Sequence, residues 1–169
     1  ALHVVWTEQV GEDYGMYHAY SLDNGLSWYA MQPIADASGY AVSLASSPAG
    51  YLRAAWQSKT AGDDNTMRIY TAAYDGDLWT QPMVTSLGLD GDGRSPELGV
   101  DSAGRAHLVW EQDTYGGASS IYYAQDSAGA WTAPFLLSSA GEEAQYPCLT
   151  VGPMADIHIA WNNGHALLH

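Results

Sequence analysis

A short pattern ending in tryptophan occurs four times along this chain of 169 residues. Each copy reads apolar, variable, apolar, apolar, Trp, at residues 2–6, 52–56, 106–110 and 157–161, so that the tryptophans stand 50, 54 and 51 residues apart. Two other marks keep the same rhythm: a Tyr-x-Ala tripeptide that begins at Tyr17, Tyr70 and Tyr122, and a later tryptophan at Trp28, Trp79 and Trp131. Three marks in one register indicate a tandem structural repeat.

Each period divides into four short strands, which we name A to D in order from the inside outward. Strand A is an alternating segment before a Gly turn, strand B ends in the repeated tryptophan, strand C carries Tyr-x-Ala and strand D follows the later tryptophan. This pattern predicts an all-β fold, a β-propeller of four-stranded antiparallel blades, with about three and a third blades in the chain. We treat residues 1–169 as one propeller segment with repeats at 2–51, 52–105 and 106–156 and a partial repeat at 157–169.

The predicted blades are fewer than a typical ring contains. Closed propellers have about 4 to 8 blades, and open ends expose unpaired strand edges. We therefore expect the remaining blades to come from the same chain or from other copies of it. Edge-to-edge self-assembly into a ring or filament is the structural alternative.

The charge balance limits the partners that the chain can bind. Nineteen acidic residues against five basic ones give a formal net charge of -14. Nucleic acid and anionic membrane surfaces would be repelled. No segment reaches the roughly 18 apolar residues of a membrane span, so we expect no membrane insertion. The single cysteine, Cys148, excludes an intrachain disulfide, and its neighbours predict a buried strand residue.

The segment Ser21-Leu22-Asp23-Asn24-Gly25-Leu26-Ser27-Trp28 lies between predicted strands C and D of the first repeat. It resembles the Asp box, Ser/Thr-x-Asp-x-Gly-x-Ser/Thr-Trp, of bacterial neuraminidase (sialidase-like) repeats. The resemblance implies structural roles: Asp23 accepts turn N–H groups, Gly25 tolerates positive φ, and Trp28 caps the blade edge. Shorter turns before Trp79 and Trp131 resemble the box only in degenerate form.

In the family that the chain resembles, Asp boxes lie on the face opposite the ligand site. This implies that ligand-binding residues belong to the D-to-A and B-to-C connections, at residues 36–38, 90–94 and 142–146 and at 8–14, 58–65 and 112–119. Arg94, in Arg94-Ser95-Pro96, resembles the Arg-x-Pro that binds the substrate carboxylate in sialidases. A guanidinium suits a carboxylate because it forms a bidentate pair.

Four further residues complete the candidate site. Glu111 and Asp113 follow the third repeated tryptophan, where sialidases carry a Glu-Gly-Arg motif and then an acid/base aspartate, so Asp113 is the candidate catalytic residue. The arginine of that motif is absent here. Tyr146 aligns with Ser95 one repeat later, and Glu8 opens the first B-to-C connection; both are candidate ligand-binding residues, with Glu111 and Arg94.

Metal and cofactor sites are not expected. His3, His107 and His158 recur at one strand position, but equivalent positions of successive blades radiate apart, so half-buried strand histidines explain them better than metal ligands. The acidic pairs Glu12-Asp13 and Asp63-Asp64 could hold Ca²⁺, yet no spaced calcium motif accompanies them.

The repeats and the incomplete catalytic set favour a binding protein. Our leading hypothesis is an extracellular or cell-surface propeller that recognises a glycan or a protein through its loop-rich face. The alternative is a glycoside hydrolase of sialidase type, with Arg94 binding the substrate carboxylate and Asp113 as acid/base; this would also need an arginine triad and a Tyr–Glu pair that the segment does not complete.

Overall fold

The chain folds into four successive antiparallel β-sheets. The structure is a computed structural model that describes residues 1–11, 13–29, 32–47, 49–59, 65–86, 88–127, 129–163 and 167–168. No helix occurs among these residues. Consequently no helix in the described segments has the length and apolarity needed to span a membrane.

The first two sheets follow the predicted strand order. Sheet one contains strands in the order B, C and D: β1 (Leu2–Val10), β2 (Asp13–Ser21) and β3 (Gln32–Ser38). Sheet two contains all four strands: β4 (Tyr40–Ser46), β5 (Leu52–Lys59), β6 (Met67–Tyr74) and β7 (Met83–Val84). Hydrogen-bonded neighbours within both sheets are consecutive in sequence, so each sheet is an up-and-down meander.

The third and fourth sheets repeat this arrangement. Sheet three contains β8 (Asp92–Val100), β9 (Ala106–Asp113) and β10 (Ser120–Ser127), and its outer strand is split into β11 (Ala130–Trp131) and β12 (Phe135–Leu136), which both pair with β10. Sheet four contains β13 (Gln145–Val151), β14 (Ile157–Asn162) and β15 (Leu167–Leu168). Each complete sheet therefore takes its inner strand from the end of one sequence repeat and its other strands from the next.

Neighbouring sheets pack face to face, and the innermost described strand of each sheet contacts that of the next. Strand β4 contacts both β1 and β8, and β8 contacts β13. Three apolar clusters fill the successive interfaces between sheets. The repeated tryptophans Trp56 and Trp110 are fully buried in two of these clusters, which explains why the pattern recurs once per sheet. The all-β fold with propeller-like antiparallel sheets is thus confirmed, and the described sheets do not close a ring.

The expectation that Cys148 is buried is wrong. Cys148 is exposed on β13. Side chains alternate between the two faces of a strand, and on β13 the alternate residues Leu149 and Val151 pack toward Gly99 of sheet three. Cys148 therefore lies on the outer face of the last described sheet, where no other sheet covers it.

Candidate functional site: the face formed by the B-to-C and D-to-A connections

Each inner strand begins with the same backbone distortion. Ala41, Ser95 and Tyr146 adopt φ values of 49°, 48° and 51°, in the left-handed region that non-glycine residues rarely occupy. At each of them the pairing with the next strand shifts register, which is the mark of a β-bulge. All three bulges lie near the first residues of the inner strands, at the end of the sheets that forms the predicted ligand face.

A side chain from the preceding sheet holds two of these bulges. The residue directly after the buried tryptophan of strand B accepts a hydrogen bond from the bulge N–H of the next sheet. Gln57 Oε1 accepts from the Ser95 N–H at 2.9 Å, and Glu111 Oε2 accepts from the Tyr146 N–H at 3.2 Å. We call this contact the bulge clasp. The bulge clasp fixes where the first residues of an inner strand lie relative to the end of strand B in the preceding sheet.

Arg94 lies at the centre of a cluster of charges. Its Nη2 is 2.9 Å from Asp92 Oδ2 and 3.2 Å from Asp113 Oδ2. The hydrogen bond with Asp92, together with the charges of Asp113 and Glu111, raises the Arg94 pKa above its ordinary value. The guanidinium is 45% exposed, so it remains accessible while it is held from two sides.

Asp92 connects three parts of this face. Besides Arg94, its Oδ1 accepts hydrogen bonds from the backbone N–H of Met67 in sheet two, at 2.9 Å, and from the hydroxyl of Tyr115, at 3.3 Å. Burial raises the pKa of this carboxyl, but the hydrogen bonds from Met67 and Arg94 outweigh it and hold the pKa below its ordinary value. Asp92 is therefore a charged acceptor that fixes sheet three against sheet two.

Gly91 allows two connections to meet at this point. Its φ is +81°, and an added Cβ would collide with the carbonyl oxygen of Asp113. The connections around Gly91 line an open surface depression of about 530 Å³. Its lining residues come from sheets two and three: Thr66, Arg68, Asp90, Gly91, Thr114 and Tyr115.

Two tyrosines stand exposed beside the charged cluster. Tyr115 is 70% exposed and Tyr146 is 68% exposed. The Tyr115 hydroxyl donates a hydrogen bond to Asp92, and the Tyr146 backbone N–H donates one to Glu111. Large exposed aromatic faces next to charged groups are a common feature of binding surfaces.

The structure brings four of the five candidate site residues together. Arg94, Glu111 and Asp113 lie on paired ends of β8 and β9, where Arg94 is the register partner of Glu111, and Tyr146 contacts Glu111 from sheet four. Glu8 is exposed near the end of β1 in sheet one, without a contact to this cluster in the described part of the chain.

Sequence reasoning did not single out Asp92 and Tyr115, although both fall in the named connections. Asp92 stands two residues before Arg94, and alternate residues of a strand share a face, so this spacing was an available signal. Tyr115 had no comparable signal among twelve tyrosines.

The segment that resembles an Asp box forms a closed turn at the opposite end of the sheets. Asp23 accepts hydrogen bonds from Ser21 Oγ and from the Ser27 N–H, both at 2.8 Å, and from Ser27 Oγ. These bonds, the one from Ser27 Oγ first, lower the Asp23 pKa to about 2. Gly25 has a φ of 89°, and Trp28 is 46% exposed beside it.

The three recurrent histidines have three separate environments. His3 Nδ1 is 3.0 Å from Nε2 of the buried His18, His107 Nδ1 is 2.8 Å from the Tyr123 hydroxyl, and His158 Nε2 is 2.7 Å from Asp156 Oδ2. Among the residues that the structure describes, no group of three or more His, Cys, Asp or Glu side chains is placed to hold a metal ion. Glu12, Asp63 and Asp64 lie outside the described residues, as does the side chain of Asp13.

Comparisons with known proteins give the fold and no family. Neither a known family nor a curated protein matches the sequence. The chain superposes on a protein of unknown function from Dyadobacter fermentans with a TM-score of 0.67 and 9% identity, over 94% of this chain and 54% of that one.

Two sialidases share the same fold at similarly low identity. The Hadza microbial sialidase Hz136 gives a TM-score of 0.60 and 12% identity over 90% of this chain and 36% of that one. The leech intramolecular trans-sialidase, complexed with 2,7-anhydro-Neu5Ac, gives 0.59 and 13% over 95% and 26%. The chain thus spans about half or less of each of these three proteins, and its likeness to the sialidase and the trans-sialidase shows a sialidase-like β-fold.

Proposed function

We propose that the chain is part of an extracellular or cell-surface binding propeller that recognises a glycan through the face around Arg94. The observation that carries this proposal is the grouping of a doubly paired guanidinium, the partly exposed carboxylate of Asp113 and two exposed tyrosines on one rim. Sugars present hydroxyl groups, which charged side chains bind, and apolar ring faces, which stack on aromatic side chains. The sialidase-like fold is consistent with a carbohydrate-related role.

The Arg94 environment favours binding over sialidase-type hydrolysis. A substrate carboxylate at the guanidinium would meet the negative charges of Asp92 and Asp113, which lie 2.9 and 3.2 Å from Nη2, and that of Glu111 nearby. A neutral glycan can accept a hydrogen bond from Arg94 without breaking these pairs. A protein ligand remains the second candidate partner, because exposed tyrosines and arginines also anchor protein interfaces.

A glycan array with the purified chain tests this proposal. We expect binding to neutral glycans that falls at least about tenfold in Tyr115→Ala and in Arg94→Ala, since each removes one anchoring contact. The control is Met154→Ala, which shortens a 90% exposed side chain in the turn between β13 and β14, at the other end of the sheets. Equal losses in all three variants, or no bound glycan, would refute glycan recognition by this face.

The hydrolase alternative has its own test. Release of fluorophore from a fluorogenic sialoside, lost in both Asp113→Asn and Arg94→Ala, would support it against the binding proposal. Binding of neutral glycans without such turnover supports the binding proposal.

We also propose that further blades, in the same chain or in other copies, pack against the first and last described sheets. Leu2 and Val4 are 47% and 42% exposed on β1, which pairs only with β2 within the described residues. Apolar faces and free strand edges of this kind are normally covered. Light scattering separates the two sources, because assembly of copies would give a mass above the 18.1 kDa of one chain.

A further inference from the structure

Arg53 departs from the pattern of strand B. The other three copies of that strand carry histidine at this position, His3, His107 and His158. Arg53 instead extends across the joint between sheets two and three toward Asp126 on β10, and its Nη2 stops 3.6 Å from Asp126 Oδ2. That separation is longer than a hydrogen bond.

Both charged groups keep hydrogen-bonding capacity at this gap. Apart from the pairing with Asp126, the guanidinium makes one hydrogen bond to a described residue, from Nη1 to the Leu52 carbonyl at 3.4 Å. Asp126 accepts a hydrogen bond from the Gly129 N–H through Oδ1 and none through Oδ2 from a described residue. The side chains are only 17% and 6% exposed, so bulk water compensates little for the missing bonds.

A cavity lies beside this pair, on the outer wall of the two sheets and away from the Arg94 face. It measures about 150 Å³, and besides Arg53 and Asp126 its wall includes Met83, Trp131, Thr71 and Thr80. Both threonine hydroxyls are already bonded, Thr71 to Thr85 and Thr80 to the Ala73 N–H. The exposed amide of Gln81 also lines the cavity beside the charged pair, and Trp131 and Met83 supply an apolar side.

The opposite charges across the gap select the ligand. An anion would be repelled by Asp126 and a cation by Arg53, whereas a neutral group with a donor and an acceptor satisfies both. Neighbouring hydroxyl groups provide this combination, one donating to Asp126 Oδ2 and the other accepting from Arg53 Nη2. The volume equals about five water molecules at roughly 30 Å³ each, which suits one sugar ring rather than a chain.

We propose that the cavity between sheets two and three binds a single neutral sugar ring or similar polyol through a vicinal diol held by Arg53 and Asp126, with Trp131 against the ring. This site is separate from the Arg94 face, and it stands whether or not that face binds a glycan. Free monosaccharides and the terminal residues of glycans share the required diol.

The test is a titration of the full chain followed by ¹H–¹⁵N spectra, with glucose, galactose and mannose as free sugars and their methyl glycosides as mimics of terminal residues. We expect saturable shifts of the Trp131 indole N–H and the Gly129 amide. A second pair of probes isolates the diol: trans-1,2-cyclohexanediol should shift the same signals, and cyclohexanol should not.

Near-isosteric variants keep the test independent of folding. Asp126→Asn retains an oxygen for the Gly129 N–H, and Arg53→Lys retains the charge without the planar fork; each should weaken binding about tenfold or more. His158→Gln, at the same strand position in sheet four, is the control and should leave affinity unchanged. Absence of saturable shifts with every sugar, equal shifts with cyclohexanol, or unchanged affinity in both site variants would overturn the proposal.

Discussion

The Gln57 side chain accepts a hydrogen bond from the Ser95 N–H at 2.9 Å, and so joins strand B of one sheet to the bulge of the next. We expect Gln57→Leu to destabilise the fold by about 1–2 kcal/mol, because the Ser95 N–H loses its acceptor in a partly buried place. Chemical denaturation measures this loss. Gln81→Ala, at an exposed position, should change stability by less than about 0.5 kcal/mol. Equal losses in the two variants would refute the clasp.

The second clasp allows a conservative test. Glu111→Gln keeps a side-chain oxygen within reach of the Tyr146 N–H, so hydrogen exchange at Tyr146 should stay slow. Glu111→Ala should accelerate that exchange about tenfold or more. If the two variants exchange alike, the Glu111 side chain does not hold this bulge.

The carboxyl group of Asp23 should titrate at an unusually low pH. Its three hydrogen bonds hold the Asp23 pKa at about 2, against an ordinary 3.8. A depressed carboxyl pKa stabilises the fold above the ordinary value, and this contribution disappears as pH falls through about 2. Carbon-13 NMR of the carboxyl group should show the low value in the parent chain and a higher one in Ser27→Ala. An unchanged titration in Ser27→Ala would contradict the assigned cause.

His18 should make the fold sensitive to mild acid. Burial first, and the neighbouring His3 second, lower the His18 pKa from 6.5 to about 4. A depressed histidine pKa means that the unfolded chain binds the proton first, so stability falls between about pH 6.5 and about pH 4. Between these pH values the free energy of unfolding should fall by about 2 kcal/mol less in His18→Phe than in the parent chain, as measured by denaturation at both pH values. The exposed His158→Gln should retain it, and a parent-like loss in His18→Phe would reject this origin.

Glu97 should have the opposite pH dependence. Burial raises its pKa despite a hydrogen bond from Ser43. A raised carboxyl pKa favours the fold below the ordinary 4.5, and the advantage is lost as pH rises through the folded-state value. Glu97→Gln should therefore raise the melting temperature at pH 7 by about 2 °C, with no gain at acid pH. Glu8→Gln, at an exposed position, should have no effect; a drop in Glu97→Gln would mean that the charge is stabilising.

The exposure of Cys148 is open to direct measurement. Its thiol should react with a disulfide reagent in the native chain within about tenfold of the rate in denaturant, since no described sheet covers it. Protection by a much larger factor would show that this face of β13 is covered in solution.

Much of the fold was predictable because the repeat marks buried positions. Trp56 and Trp110 recur because each is the large side chain that packs its sheet against a neighbouring sheet. Strand alternation and the spacing of the repeat are visible in the sequence, so these positions could be predicted. Cys148 was mispredicted because strand patterning identifies two faces but not which face a neighbouring sheet covers.

The site was less predictable because its contacts join distant residues. Arg94 and Asp113 were identified separately, whereas their ion pair depends on the register of β8 and β9. The contact between Gln57 and Ser95 spans 38 residues and depends on how two sheets pack, which no spacing in the sequence encodes. The same holds for Arg53 and Asp126.

The bulge clasp also restricts how such a protein could gain or lose a repeat. Proline lacks an N–H, so it cannot occupy the position of Ser95 or Tyr146, yet it directly follows both, at Pro96 and Pro147. A duplicated or transplanted unit would keep this hydrogen bond only with a polar acceptor after its tryptophan and a non-proline residue at the bulge of the next unit. An engineer inserting a repeat could screen donor sequences on these two positions alone.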